Sequence, residues 1–501
     1  MSGSSTPLWS ATELKKAAHG WWFKKPKAKN WDQIRVSYDI RGLAPRNLVV
    51  CKHPSTWGPN SPDTSKALAE IAAGGAAGAI VQENQLDGLP ALPPTFPVLV
   101  VKDTFKALRN MAEFSRRRFE GKVVAITGTV GKTTSREMLL HLFERQGGGV
   151  ATRANNNNLA GVMRTMAYVH RELAGAAIEM GFGHPRTAIG TSSEIVRPHV
   201  GLITSVSTAH LDVFPPELLA TKSGEELVTE FKSRIFNGIV EGGAAVIHRG
   251  MPYFETSKRY AEERGVRLLS FGDADDASTQ LLSAELEATG SRVRARFGDR
   301  EIEYTLQVPG RHMVMNSLGV LTAMDAAGFS LEKSAADIGE FAAVAGRSRV
   351  VEIPFRGGRA MLIDDHFNAT PASMDSTLAL LKMATPDPGG RRIAALGEIG
   401  HLGPDEARIH ADLAQLVDKH DVDMLFTWGP LMRHMFNSTP ESKRGRHCET
   451  VPELYAAVRE YMKAGDVLTV KSGRGQGGLG DKRFRQFVRA LGEDKEALVI
   501  T

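Results

Sequence analysis

The chain has little cysteine. Its 501 residues include only Cys51 and Cys448, far apart in sequence and each without a second thiol nearby. That excludes a disulfide framework or a thiolate metal site and predicts a reducing compartment. Long hydrophobic runs are missing too. No stretch of about 18 consecutive apolar residues occurs, so no membrane span is expected, and the first thirty residues hold no uninterrupted apolar segment of signal-peptide length. Net charge is small, +5 from 62 basic and 57 acidic side chains. No nucleic-acid partner is expected from that balance unless the positive charge gathers on one face. Repeats, heptads and low-complexity tracts are absent. The expectation is a cytoplasmic monomer that acts on small molecules.

What is present is glycine, 50 residues, in short clusters between apolar runs, as in a loop-rich α/β enzyme. The length suggests three domains. Residues 1–119 read as a small α/β unit. Ile34, Val36 and Tyr38 alternate as a half-buried strand, and 48–50, 79–81 and 98–101 are further strand candidates. Asp63 and Asp103 stand where helix caps belong. Arg116, Arg117 and Arg118 close the second of these helices, where cations suit the negative end of the dipole; a basic DNA-contacting arm is the sharper alternative. Residues 120–345 carry short strands at 123–126, 176–178, 202–205 and 244–247 with helix-length stretches between them, which predicts a mostly parallel sheet. Val293, Ala295 and Phe297, then Ile302, Tyr304 and Leu306 beyond a Gly298-Asp299 turn, predict an antiparallel hairpin appended to it. Residues 346–501 repeat the α/β alternation, with strands at 361–363, 393–396, 424–426 and 467–470.

The strongest chemical signal is Gly128-Thr129-Val130-Gly131-Lys132-Thr133-Thr134, between the strand at 123–126 and a helical pattern through Met138, Leu139, Leu142 and Phe143. Glycines let the backbone curl until amides converge on phosphate oxygens, and a helix N-terminus adds its dipole. Lys132 supplies a mobile point charge for the phosphates, and the Thr133 hydroxyl is placed to ligate Mg²⁺. The common form of this motif needs glycine at 126, where this chain has Ile126, so the loop is a shorter variant. An ordinary glycine turn before a helix is the alternative.

A loop of form GTxGKT[TS] is similar to that of the Mur ligases, which join a carboxylic acid to an amine using ATP. Later segments resemble that family in order: NNNNLAGV (155–162), IEMG (178–181), TSVSTAHLDVF (204–214) and PGRHMVMNSLGV (309–320). GRSRV (346–350), IDDHFNATPASM (363–374) and ALGEIGHLGPDE (395–406) look most like its MurF branch, which adds D-alanyl-D-alanine to a nucleotide-linked tripeptide. The resemblance spans roughly residues 35 to 475. It implies a three-domain α/β architecture: an acid-binding first domain, a central ATP-binding domain built on the phosphate loop and a mostly parallel sheet, and a Rossmann-like amine-binding third domain.

The resemblance also implies roles for residues. Gly128, Thr129, Gly131, Lys132, Thr133 and Thr134 would hold ATP phosphates, Asn316 the adenine, Asp365 the ribose, and Arg347 the γ-phosphate or an acyl phosphate. Mg²⁺ would sit on Thr133, Glu179, His210 and Lys232. Lys132, His210, Lys232 and Arg347 would be catalytic, and Asp39, Arg41, Asn157, Asn158 and Asn368 would meet substrates. Taken alone, a strand-end glutamate such as Glu179 is more often solvated, and a loop histidine such as His210 more often satisfied in place. Lys232, in FKSRIF, is similar to the family's carbamylated lysine, whose carbamate ligates metal. The gap from His210 is long for the family, so Lys222 in ATKSGEE competes with it.

Departures gather at the substrate pockets. Met313 stands where a second asparagine is frequent, Ile40 replaces a hydroxyl residue, and Thr370 stands where the MurF branch prefers asparagine. KSGRGQGG (471–478) departs from the branch's lysine-glycine-serine-arginine ending. HPSTWGPN (53–60) shows no glycine-rich uridine-nucleotide segment. The expected function is therefore MurF-like ligation through an acyl phosphate, with release of ADP and phosphate. The alternatives are the same chemistry on another acid, from a peptide natural product or storage polymer, or a nucleotide-binding switch without catalysis.

Overall fold

Apolar runs of four to six residues, bounded by glycine or polar turns, suit strands buried on both faces and are too short for helices. In the computed structural model, which describes residues 8–27, 35–41, 43–153, 156–181, 189–207, 211, 214–403, 405–473, 480–496 and 498, such runs build three separate sheets.

The first sheet runs in the order Trp21–Lys24, Val98–Val101, Gly78–Gln82, Asn47–Val50, Arg35–Ser37. Its opening pair is antiparallel and the rest parallel. The strand expected from residue 34 is seen as Arg35–Ser37, Ile34 lying outside the described residues. Asp103 caps the helix Thr104–Arg118 by accepting the Lys106 N–H at 2.8 Å. Asp63 caps a 3₁₀ turn, Thr64–Ala67, that leads into the short helix Leu68–Ala73. The basic end of the long helix is built into the packing. Arg116 donates to the carbonyls of Val196 at 2.7 Å and Arg197 at 2.8 Å. Arg118 donates to the Leu8 carbonyl at 2.6 Å and lies 4.0 Å over the ring of Trp9. These two guanidiniums hold chain segments together, which is a structural use of the run.

The central sheet has the order Arg300–Leu306, Ser291–Phe297, Thr279–Leu286, Arg267–Gly272, Ala244–His248, Val200–Ile203, Lys122–Thr127, Gly175–Glu179, Gly149–Ala151. From Thr279–Leu286 onward all neighbours are parallel. The predicted hairpin closes the other end, with Phe297 opposite Arg300 and Val293 opposite Tyr304. Buried and exposed residues alternate without a break along Ser291–Phe297, the pattern of a sheet wet on one face.

The third sheet runs Arg349–Phe355, Gly358–Asp364, Val467–Lys471, Arg392–Gly397, Met424–Trp428, Arg444–Cys448, parallel except for its first pair. The four inner strands match the apolar runs. The two edge strands are half exposed and interrupted by charge, so no continuous apolar run marks them. Among the described residues, no helix is long and apolar enough to cross a membrane.

The chain enters the third unit through Gly346-Arg347-Ser348, and two successive carboxylates hold this segment. The Gly346 N–H donates to Asp364 Oδ2 at 2.8 Å and the Ser348 N–H to Asp365 Oδ1 at 2.9 Å. Alternate amides are thus fixed inward, and Arg347 between them is aimed back at the central sheet.

Candidate active site

In parallel sheets the loops at the carboxyl ends of the strands form the binding crevice. Here one cleft is lined from both the central and the third sheet by such loops. Its floor is the glycine loop after Lys122–Thr127, which turns into the helix Lys132–Arg145. Gly131 has φ +88°, and a Cβ there would sit 2.3 Å from Asn316 Oδ1, so this residue lets the helix Arg311–Ala326 close over the loop. Gly131→Ala is expected to cost about 1–3 kcal/mol in backbone strain and displaced neighbours. The checks are a lower urea midpoint and weaker nucleotide binding; if both stay unchanged, the loop tolerates a side chain.

Not every loop amide faces a ligand. The Thr129 N–H donates to the Ser205 carbonyl at 2.8 Å, and the Val130 N–H to Ser205 Oγ at 3.2 Å. These bonds pin the loop to the end of Val200–Ile203. The amides left for phosphate are those of the first helical turn from Lys132, which have no intrahelical partner. The loop thus works mainly as a helix N-terminus carrying a lysine. Thr134 is buried beneath it.

Two lysines converge on one carbonyl. Lys132 Nζ donates to the Gly128 oxygen at 2.8 Å and to the Thr129 oxygen at 3.0 Å, and Lys232 Nζ donates to the same Gly128 oxygen at 2.7 Å. Burial lowers the Lys132 ammonium from the ordinary lysine range; Glu179 opposes that shift and Arg347 adds to it. Lys232 is only 2% exposed. Burial, and then the charge of Lys132, push it well below the usual value, which favours a neutral, nucleophilic amine. Lys222 is different: it pairs with Glu226 at 3.6 Å and with Glu230, and those bonds raise it. The His210 expectation lies outside the described residues.

Glu179 ends the strand Gly175–Glu179 and is buried. Its Oε2 accepts from Thr133 Oγ1 and from Arg136 Nη1, both at 3.1 Å, and its Oε1 from Asn157 Nδ2 at 2.8 Å. Thr133 and Glu179 are hard oxygen donors, which fits Mg²⁺. No group of three or more His, Cys, Asp or Glu side chains suited to a metal occurs among the described residues.

The third unit supplies the cleft's other wall. Arg347 Nη2 donates to Thr133 Oγ1 at 3.1 Å while its guanidinium lies 4.1 Å over the Phe367 ring. Asp365 follows Gly358–Asp364 and is buried. Burial acts to raise its carboxyl, but Lys471, at 2.5 Å, and the Thr377 hydroxyl outweigh that and hold it below the usual carboxylate range. Asn368, exposed at φ +64°, lines the rim. Met313 is buried one turn before Asn316 and also faces the cleft.

The remaining expected residues lie elsewhere or have other partners. Asn158 caps the helix Leu159–Ala167, its side chain accepting the Gly161 N–H at 2.9 Å. Thr370 caps Pro371–Met383, a duty that asparagine serves equally well. Asp39 and Arg41 are outside the cleft, bonded to each other at 3.1 and 3.3 Å. Sequence reasoning missed Lys471, Arg136 and His312. Lys471 ends a buried strand, a position that in a parallel sheet points at the crevice. Arg136 falls one turn beyond Lys132. His312 reaches Ser348 Oγ at 3.1 Å across the two units, a contact that no spacing in the chain announces.

Known proteins resemble this chain in the same parts. The family description Mur ligase middle domain matches residues 126–324, and that of the Mur ligase glutamate ligase domain matches 346–474. A UDP-N-acetylmuramoyl-tripeptide–D-alanyl-D-alanine ligase of Escherichia coli is 25% identical over 92% of this chain and 94% of its own length. Its namesake in Rickettsia prowazekii is 26% identical over 75% and 81%. In fold, MurF of Acinetobacter baumannii superposes with a TM-score of 0.77 at 24% identity, covering 97% of this chain and 99% of that one. MurF of Thermotoga maritima in complex with ADP gives 0.70 at 19%, covering 93% and 99%. With both family descriptions matched in order across most of its length, and a phosphate loop, paired lysines and strand-end carboxylates gathered in one cleft, the chain belongs to the Mur ligase family of ATP-dependent, amide-bond-forming ligases.

Proposed function

We propose that this ligase is MurF-like and joins D-alanyl-D-alanine to a UDP-N-acetylmuramoyl-tripeptide, the reaction named for its curated relatives. The observation that carries the reading is the cleft itself, where Glu179 and Arg347 from two units meet on the Thr133 hydroxyl while Lys132 and Lys232 meet on the Gly128 carbonyl. The working division is 1–119 for the acid, 120–345 for ATP and 346–501 for the amine, in a cytoplasmic monomer.

A carboxylate does not condense with an amine at neutral pH because oxide is a poor leaving group. Transfer of the γ-phosphoryl group from ATP to the carboxylate oxygen releases ADP and gives an acyl phosphate. The amine nitrogen then attacks the acyl carbon, its proton is lost, and phosphate departs with the C–O electron pair. The acid and the triphosphate are both anionic, so cations must bring them together. Lys132 sits at the helix N-terminus to meet the β- and γ-phosphates. Arg347 swings with the third unit and reaches the transferred group only when that unit is closed onto the loop, where it also excludes water. Asn316 lies beside the loop to meet the adenine, and Asp365 stands on the opposite wall for the ribose. Thr133 and Glu179 would hold Mg²⁺, with His210 and a carbamate on Lys232 as further ligands; the cation neutralises charge on the phosphates. Asn157 orients Glu179, and Asn368 borders the side from which the amine enters.

The test is a coupled ADP assay over a matrix of acids and amines with mass detection of products. ADP and phosphate are expected only when acid, amine and Mg²⁺ are all present, with turnover abolished by EDTA. AMP and pyrophosphate would point to an adenylate route instead, and ATP turnover independent of acid and amine would favour a nucleotide switch. One observation favours a second reading, ligation of another acid. Where a glycine-rich uridine segment belongs, the chain folds the short helix Pro54–Trp57, and Trp57 packs against Tyr38 and Phe105 at ring distances of 5.1 and 5.0 Å.

A further inference from the structure

The segment that aims Arg347 at the phosphate loop is held by more than its two carboxylates. Asp364 is only 3% exposed, so each of its oxygens needs a donor. One donor is the Gly346 N–H, on Oδ2 at 2.8 Å; the other is His366 Nδ1, 2.5 Å from Oδ1. A carboxylate only accepts, so Nδ1 carries the proton. The imidazole is buried as well and lies against the Gly346 backbone. There φ is +77°, and a Cβ would stand 2.8 Å from the ring's Cε1. The residue after His366 completes the set of contacts. The Phe367 N–H donates to the Gly346 carbonyl at 3.2 Å, and the Phe367 ring carries the Arg347 guanidinium at 4.1 Å. Asp364, His366 and Phe367 thus engage the amide, the Cα and the carbonyl of Gly346 in turn, immediately before Arg347. Asp365 and Phe367 line the cleft, while His366 between them does not. It faces the entry segment and not the space that a substrate would fill.

We propose that His366 is a positioning residue for Arg347: it holds the Asp364 carboxylate in the rotamer that accepts from Gly346, supports the Gly346 turn, and so sets where the guanidinium stands over Thr133. The link to turnover rests on the ligase reading, in which Arg347 meets the transferred phosphoryl group; the hold on the entry segment does not. Without the imidazole, one oxygen of a buried carboxylate loses its donor, which is costly. Asp364 recovers part of that loss by rotating, at the expense of its bond to Gly346. Gly346 then has other backbone states within reach, because no side chain limits it. Arg347 follows directly in the chain, and its long side chain magnifies a small turn of the backbone. A displacement of about 1 Å at a group that positions a reactant costs up to about 10²-fold in rate. His366 therefore acts on the chemistry without touching it.

The test is a double-mutant cycle on the full chain with ATP, Mg²⁺, acid and amine, built from His366→Leu, Arg347→Gln and the pair. Hydrogen exchange is measured on the same proteins without substrates. His366→Leu should lower kcat about 10- to 100-fold, with the KM values for acid and amine unchanged. It should add little to the loss already caused by Arg347→Gln, because both act through one group. His366→Asn, whose side-chain amide can put an N–H where Nδ1 stands, should recover most of the rate. A merely structural role, in which ring volume counts, would be met better by His366→Phe. In the free protein, the peptide spanning Gly346 should exchange faster in His366→Leu while the strand Lys122–Thr127 stays protected. If His366→Leu does not fold, the comparison of the Asn and Phe variants decides. The inference is overturned by wild-type kcat in His366→Leu, by losses that add in full across the cycle, by a Phe variant more active than the Asn variant, or by unchanged exchange at Gly346. Failure of the ligase reading looks different: the wild-type protein itself then gives no acid-dependent ADP, and exchange at Gly346 still reports whether His366 holds the segment.

Discussion

Lys132→Ala is expected to release no measurable ADP in the presence of acid, amine and Mg²⁺. In the proposed reaction a carboxylate meets a triphosphate, and Lys132, at the helix N-terminus, would supply the mobile cation for them. Removing one preorganised donor of this kind costs about 3–4 kcal/mol of transition-state stabilisation, roughly a factor of 10² to 10³ in rate. The fold should survive. Among the described residues the ammonium bonds to the Gly128 and Thr129 carbonyls, while the loop is pinned independently by Ser205 and Thr204, the latter donating to the Val130 carbonyl at 2.6 Å. A thermal midpoint close to wild type alongside lost turnover would assign the effect to catalysis. Retained turnover would remove the loop from the mechanism.

The second large effect is expected at Lys232. A buried amine beside another ammonium, both donating to one carbonyl oxygen, is a poor arrangement for two positive charges. Capture of CO₂ by the neutral amine would turn one of them into an anion, which Lys132 and a bound Mg²⁺ would attract. Lys232→Ala should therefore lower kcat by about 10²-fold, the scale of losing one electrostatic contributor, with partial rescue by formate or acetate diffusing into the vacated space. Stability should fall little, because a buried amine held near other cations contributes little to the fold. Undiminished activity in this variant would shift the assignment to Lys222. Lys222 is a weak contender: Glu230 and Glu226 hold its ammonium protonated at an open surface.

Local pattern carried much of the fold. Most inner strands of the three sheets are short apolar runs, and the 291–306 hairpin shows its period of two residue by residue. The elements that escaped notice are those whose side chains carry mixed messages. Trp21–Lys24 is four residues long at a sheet edge, Arg349–Phe355 and Arg444–Cys448 are edge strands interrupted by charge, Gly149–Ala151 has only three residues, and the inner strands Arg267–Gly272 and Thr279–Leu286 mix apolar with polar residues. Their strand character comes from hydrogen bonds to a neighbour, which no local pattern encodes.

The site divides in the same way. Glycines, a lysine and two threonines in fixed order announce phosphate chemistry because the backbone needs positive φ and a cation within one helical turn, all local requirements. Lys132 and Thr133 were thus legible as candidates from the chain alone, while Glu179 needed the family resemblance. Lys471 beneath Asp365, His312 across to Ser348, and the choice between Lys232 and Lys222 depended on distance through space. Burial shifts an amine and a neighbouring charge shifts it further, and neither is written in spacing along the chain.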